Sequence, residues 1–210
     1  MRTVMKWAVA LLVVAVCGAT ARAAEPDVPE GTVVKLLLLR QKSVQKELGL
    51  GADVTKKIMD FTSAQAEARK AAGMPEAARK EAFEKLAKQN DKFLTDTLNA
   101  KQSKRLDQIE MQFTALTHLL KPEMIKELKL SDDQVKKFKE MQPEARKALA
   151  EVLGSKDAGR SQKFAKLQQE TRTKILAVLT DEQKTKVREI AGPPFEGEIV
   201  IEEPEPSKDK

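Results

Sequence analysis

Tyrosine is missing from this chain, and cysteine, tryptophan and histidine occur once each, as Cys17, Trp7 and His118. Each shortage removes a class of chemistry. A single cysteine forms no internal disulfide, so packing alone must hold the fold, unlike the bridge-dependent scaffolds common among exported domains. One Cys and one His cannot supply the four ligands of a structural zinc site. Nucleophilic catalysis needs a Cys or a glycine-framed Ser beside an oriented base, and His118 has no second His to orient it. Aromatic residues make up 4% of the chain, which leaves little to stack on bases and argues against nucleic acid as a partner. Carboxylates are abundant, but no D-x-D-x-D-G calcium loop is written. The expectation is a non-enzyme with no catalytic residues, no metal ligands and no cofactor. His118, between Leu116 and Leu119, reads as a half-buried packing residue near a helix end. Met59, Met74, Met111, Met124 and Met141 read as core filler, with no copper site.

What is present begins with MRTVMKWAVALLVVAVCGATARAAEPD. Arg2 and Lys6 precede an apolar run from Ala8 to Val16, and Ala21-Arg22-Ala23 offers a small-residue cleavage site, the three parts of a secretory signal. The run is shorter than the roughly 20 apolar residues needed to span a bilayer. Residues 1–24 therefore read as an export signal cleaved near Ala23 or Ala24, and the alternative is an uncleaved anchor. Val16 stands where a lipoprotein signal wants a small residue, so Cys17 is not expected to carry lipid. The mature chain would have no Cys, Trp or Tyr and would lie in the periplasm or outside the cell. The full chain has a formal net charge of +6. The acids Glu196, Glu198, Glu202, Glu203, Glu205 and Asp209 crowd the end, leaving a basic body with an acidic tail.

The body reads as helix throughout. Val54, Ile58, Phe61, Gln65, Ala68 and Ala72 step by three and four, Gly73 ends that run, and Pro75 suits the first turn of the next helix. Phe83, Leu86, Asn90, Phe93 and Thr97 repeat the stepping, as do Gln102, Leu106, Ile109, Phe113, Leu116 and Leu120. Later come Phe138, Met141, Ala145, Leu149 and Val152, a break at Gly154 to Gly159, then Phe164, Leu167, Thr171, Ile175 and Val178. The stripes are narrow, which favours long antiparallel hairpins with coiled-coil-like packing over a thick core. Pro143 is expected to kink the Ser131–Leu153 helix.

The chain also repeats itself. KELGLGADVTKKI (46–58) and KELKLSDDQVKKF (126–138) share Lys, Glu, Leu, Leu, Asp, Lys and Lys in register, eighty positions apart. QAEARKA (65–71) returns as QPEARKA (142–148), and Phe83, Lys85, Leu86, Leu98, Gln102 and Ile109 return as Phe164, Lys166, Leu167, Leu179, Gln183 and Ile190. Three blocks in one order predict a tandem repeat of about 80 residues. Repeat one covers about 36–115 and repeat two about 116–192, within a helical domain at 25–192. Residues 193–210 form an acidic, Pro-rich tail expected to be mostly disordered. Phe195 and Ile199-Val200-Ile201 are the exception there, able to dock on the body or add to a partner.

LTDEQ (179–183), LSDDQ (130–134) and LNAKQ (98–102) share one form: Leu, a small polar residue, two residues, then Gln. This is a capping box, in which the polar side chain takes the backbone N–H three residues on and the Gln reaches back to the cap's own N–H. Asp132, Asp133, Asp181 and Glu182 add charge of the right sign for a helix start. LGADV (50–54) keeps the Leu but has Val54 in place of Gln, and Leu130 with Val135 can form a hydrophobic staple. Thr180, Gln183, Ser131 and Gln134 are thus read as structural.

An exported, cysteine-poor, charged helical chain with L-T-x-x-Q motifs resembles the LTxxQ family, the Spy- and CpxP-like periplasmic proteins with their zinc-associated ZraP-like members. The resemblance covers most of residues 36–191. It implies a thin helical cradle, usually dimeric, that holds unfolded clients on a basic face. This chain departs from that pattern in its length, its tandem repeat and its tail, so one chain can stand in for a pseudo-dimer. The functional expectation is an all-α, chaperone- or adaptor-like protein-binding module, whose partners are unfolded clients or envelope components. The alternatives are a self-assembling envelope scaffold, which would be a homo-oligomer, and a metal- or stress-sensing periplasmic protein.

Overall fold

The computed structural model describes residues 30–68, 76–155 and 159–201. The expected export signal with Cys17 and Trp7, residues 69–75 with Gly73, Met74 and Pro75, residues 156–158 and residues 202–210 lie outside the described residues. Ten helices and no strand occur among those described, so the all-α class holds. In chain order they are α1 (Glu30–Leu39), α2 (Lys42–Glu47), α3 (Ala52–Ala68), α4 (Glu76–Thr97), α5 (Ala100–Phe113), α6 (Ala115–Leu119), α7 (Pro122–Glu127), α8 (Asp132–Gly154), α9 (Arg160–Val178) and α10 (Asp181–Ala191). The described residues divide into two compact units. Of these residues, the first unit holds those from 30 to 114 together with Lys186–Glu198, and the second holds Ala115–Thr185 and residues 199–201.

In the first unit the centre is α1. Its sequence EGTVVKLLLL is apolar on almost every side, and a helix of that kind must be surrounded. It packs against α2, α3, α4 and α5. Leu39, Val44, Ile58, Leu106 and Ile109 meet there with essentially no exposure. At the end of α1, Arg40 donates from Nη1 to Thr62 Oγ1 at 2.8 Å, and Thr62 in turn donates to the Ile58 carbonyl at 2.8 Å. Partnering of this kind offsets the cost of placing polar groups inside. The α3 and α4 seams meet at Phe61 and Phe93, whose rings stack at 3.7 Å with planes 2° apart.

In the second unit α8 and α9 pack side by side and α6 packs on α8 and α7. Leu116, Leu119, Met124, Leu128, Leu130, Phe138, Ile175 and Leu179 are buried. Farther along the hairpin, Met141, Ala145, Leu149 and Val152 are only half-buried, as are Phe164, Leu167 and Thr171. A narrow stripe faced by a single neighbouring helix is covered from one side only, which is the physical reason. Arg160 closes the turn: it is 3% exposed and donates from Nη1 to the Leu153 carbonyl at 2.9 Å. Pro143 lies inside an α8 that runs unbroken from Asp132 to Gly154. The carbonyl that loses its donor is that of Lys139, and both residues are exposed, so water can take the place of the missing N–H.

Each unit contains a six-residue helix with the same ending. Leu48 and Leu128 close α2 and α7 with nearly equal dihedrals, φ −82 and ψ −5 against φ −85 and ψ −4. The next residue turns left-handed, Gly49 at φ 61 and Lys129 at φ 49. Leu50 N–H then bonds the Gln45 carbonyl at 2.9 Å, and Leu130 N–H bonds that of Ile125 at 3.0 Å. With Gly49 on Lys46 and Lys129 on Lys126, this is the Schellman helix ending, which normally wants glycine at its left-handed position. Lys129 fills that position without glycine's freedom.

Candidate functional site

Two constructions bring functional groups together: the glutamines of the repeated phrase, and a groove of the first unit that holds a stretch of the tail.

The capping boxes form as their spacing predicts. Asn99 accepts from Gln102 N–H at 2.9 Å and Gln102 Oε1 accepts from Asn99 N–H at 3.0 Å. Ser131 with Gln134 and Thr180 with Gln183 do the same. The sequence pattern gives these glutamines one task, and the structure gives them another. Each amide has a donor end left over, and it reaches a helix far away in sequence. Gln102 Nε2 donates to the Leu48 carbonyl at 3.1 Å, and Gln183 Nε2 donates to the Leu128 carbonyl at 3.1 Å. Those are the end carbonyls of α2 and α7, which have no partner within their own helix. One glutamine thus ties the start of a helix to the end of another.

In the second unit two such clamps meet. Gln134 Nε2 donates to the Val178 carbonyl at 2.9 Å and to Gln183 Oε1 at 2.7 Å, while Gln183 Nε2 donates to Gln134 Oε1 at 3.1 Å. The starts of α8 and α10 are joined by this half-buried amide pair. The first unit has Val54 where Gln134 stands in the second, and Gln102 works without such a partner. These clamps are architecture. Their atoms are engaged with the protein itself.

The second construction lies between α2 and α5. Arg105, Gln108 and Gln112 are spaced three and four apart, so they share one face of α5. Glu47 of α2 orients Arg105, with Oε1 at 2.7 Å from Nη2 and 2.9 Å from Nε. That leaves Nη1 to donate to the Pro193 carbonyl at 2.8 Å. Gln112 Nε2 donates to the carbonyls of Ala191 and Pro193 at 2.8 and 2.9 Å, and its Oε1 accepts the Phe195 N–H at 2.8 Å. Ser43 of α2 donates to the Glu198 carbonyl at 2.6 Å. The Phe195 ring meets Phe113 edge-on, centroids 6.0 Å apart.

Residues 193–198 are thus an irregular segment, bent at Pro193 and at Gly197, held by side chains that touch its main chain. Phe195, one of the tail residues expected to be able to dock on the body, lies within this segment. Gly192 turns the chain into the groove at φ 66. Gly197 lies so close to Ser43 that a Cβ there would fall 2.7 Å from the Ser43 Cβ and closer still to the Phe195 ring. In the second unit Ile201 is 6% exposed and its N–H bonds Ser161 Oγ at 3.0 Å. Val200, between two apolar neighbours, is 47% exposed. A hydrogen bond is worth ~1 kcal/mol net, and ordering a residue costs ~1–2 kcal/mol, so such a segment is held with little to spare.

Of the other residues singled out in the sequence, His118 is half-buried and its Nε2 lies 2.9 Å from Lys121 Nζ. Met111 and Met124 are buried, while Met59 and Met141 are half-buried. Among the described residues no group of three His, Cys, Asp or Glu side chains is placed to hold a metal ion, and no helix is long and apolar enough to cross a membrane. Sequence reasoning missed Arg105, Gln112 and Ser43. Their signal was a polar stripe beside the Leu106–Ile109–Phe113 seam, which looks like any solvated helix face. No protein-family model, curated protein or solved structure matches this chain.

Proposed function

We propose that this chain is an exported, non-catalytic protein-binding module, chaperone- or adaptor-like, that holds extended segments of other polypeptides. The observation that carries the reading is the grip on residues 193–198. Arg105, Gln112 and Ser43 engage carbonyl and N–H groups that every polypeptide owns. Main-chain contacts give affinity without demanding a sequence, which is the requirement for receiving unfolded or extended partners. The signal-like N-terminus and the LTxxQ resemblance favour an activity in the periplasm or outside the cell. In the same reading the two units are copies of one ancestral unit with coiled-coil-like hairpins, supported by the matched endings of α2 and α7 and by the repeated clamps.

The test is aggregation of a reduced, unfolded client followed by light scattering, with the purified mature chain at equimolar ratio. Slower scattering is expected. An unchanged rate would overturn the proposal.

A further inference from the structure

Phe195 and Gly197 make contacts that the main-chain grip does not require. Phe195 places its ring edge against Phe113, so the groove has one aromatic position. Two residues on, Gly197 lies beneath the Phe195 ring and beside Ser43, and a Cβ there would collide with that ring first and with the Ser43 Cβ at 2.7 Å. Between them Glu196 is exposed, as are Pro194 and Glu198 on either side. The groove therefore reads backbone along its length, an aromatic ring at one point and a bare α-carbon two residues later.

We infer that the groove between α2 and α5 is selective for extended segments carrying an aromatic-x-glycine pattern, and that Phe195–Gly197 of this chain is its resident occupant, closing the site to segments of other proteins until displaced. The inference rests on the proposed holding function and deepens it: it names the segment class and the regulation of the site. Because the donors are side chains on two helices already fixed by the Gln102 clamp and the Glu47–Arg105 pair, the groove survives when the segment leaves. An occupant tethered to the same chain competes at high effective concentration. A weakly held tether still lowers the apparent affinity for an outside segment by the fraction of molecules it closes.

The substitution that separates the occupant from the groove is Gly197→Val in the full mature chain. It evicts the segment by collision with the Phe195 ring and with Ser43, and leaves Arg105, Gln112, Phe113 and Ser43 in place. The probes are a fluorescently labelled peptide of residues 193–201, the same peptide with valine at the glycine, and a reduced, unfolded client; binding is read by anisotropy. If one molecule in ten is open in the wild type, the variant binds the unmodified peptide and the client about tenfold more tightly. The valine peptide binds neither form. Equal affinity of wild type and variant for client and peptide overturns the inference and leaves the holding function standing. Equal binding of glycine and valine peptides overturns the selectivity. A client bound by neither form overturns the holding function as well. A wild-type dimer in sedimentation that becomes a monomer on Gly197→Val assigns the groove to a second copy's tail, and overturns the resident-occupant reading.

Discussion

Replacing Gln183 with alanine removes more than a helix cap. The Oε1 atom that accepts the Thr180 N–H at 2.9 Å is lost, and so is the Nε2 donor to the Leu128 carbonyl. Both directions of the amide pair with Gln134 are lost too. At ~0.5–1.5 kcal/mol for each of these four net hydrogen bonds, Gln183→Ala should cost about 2–6 kcal/mol. Thr180→Ala removes the cap hydroxyl alone and should cost ~1 kcal/mol. Gln134→Ala releases the Val178 carbonyl and the same pair, so the double variant counts the shared bonds once. A coupling term of about 0.5–1.5 kcal/mol is expected from the cycle. Far-UV circular dichroism during urea titration is the assay, because the chain has no Tyr and its one Trp, Trp7, falls in the expected export signal. If Gln183→Ala costs no more than Thr180→Ala, or if the two Gln variants simply add, the clamp is an ordinary cap and the reasoning fails.

The left-handed residue of the second unit is a lysine. Lys129→Gly should raise the urea midpoint by an amount equivalent to ~1 kcal/mol, and a fall would show that the side chain contributes more than the backbone strain. Val54→Gln builds the missing partner for Gln102, giving the first unit the paired clamp of the second. A gain of about 1 kcal/mol in the same titration is expected, and no gain would mean that the two helix starts are not close enough to pair. Gly192→Ala forces a Cβ into φ 66 and to within 2.5 Å of the Gln108 side chain. A protease that cleaves after Phe195 should then act markedly faster. Unchanged cleavage there would show that the segment is held without this turn.

The capping boxes were legible because they are a local code, written within four residues and satisfied within one turn. The other task of each glutamine was not, because Leu48 lies 54 positions before Gln102 and Leu128 lies 55 before Gln183. Nothing in the residue type says which carbonyl its amide will meet. Helix α1 escaped for the opposite reason. The run TVVKLLLL has no three-four period to announce a face, and its place at the centre of the first unit follows from being apolar all round. The seams of α8 and α9 were legible in position, but their half-burial depends on how many helices cover them. The groove was the least visible. Arg105, Gln108 and Gln112 differ from a solvated stripe only through what docks on them, and the docked segment is written 88 positions after Arg105.

The Phe195–Gly197 stretch sets different rules for neighbouring letters of the tail. Pro194, Glu196 and Glu198 project outward, so mutation can rewrite them over generations with little effect on docking. Phe195 and Gly197 have no such latitude, since one supplies the ring and the other the missing side chain. The acidity of this segment can therefore drift with solubility or with the surroundings the protein meets, independently of the seat its backbone occupies.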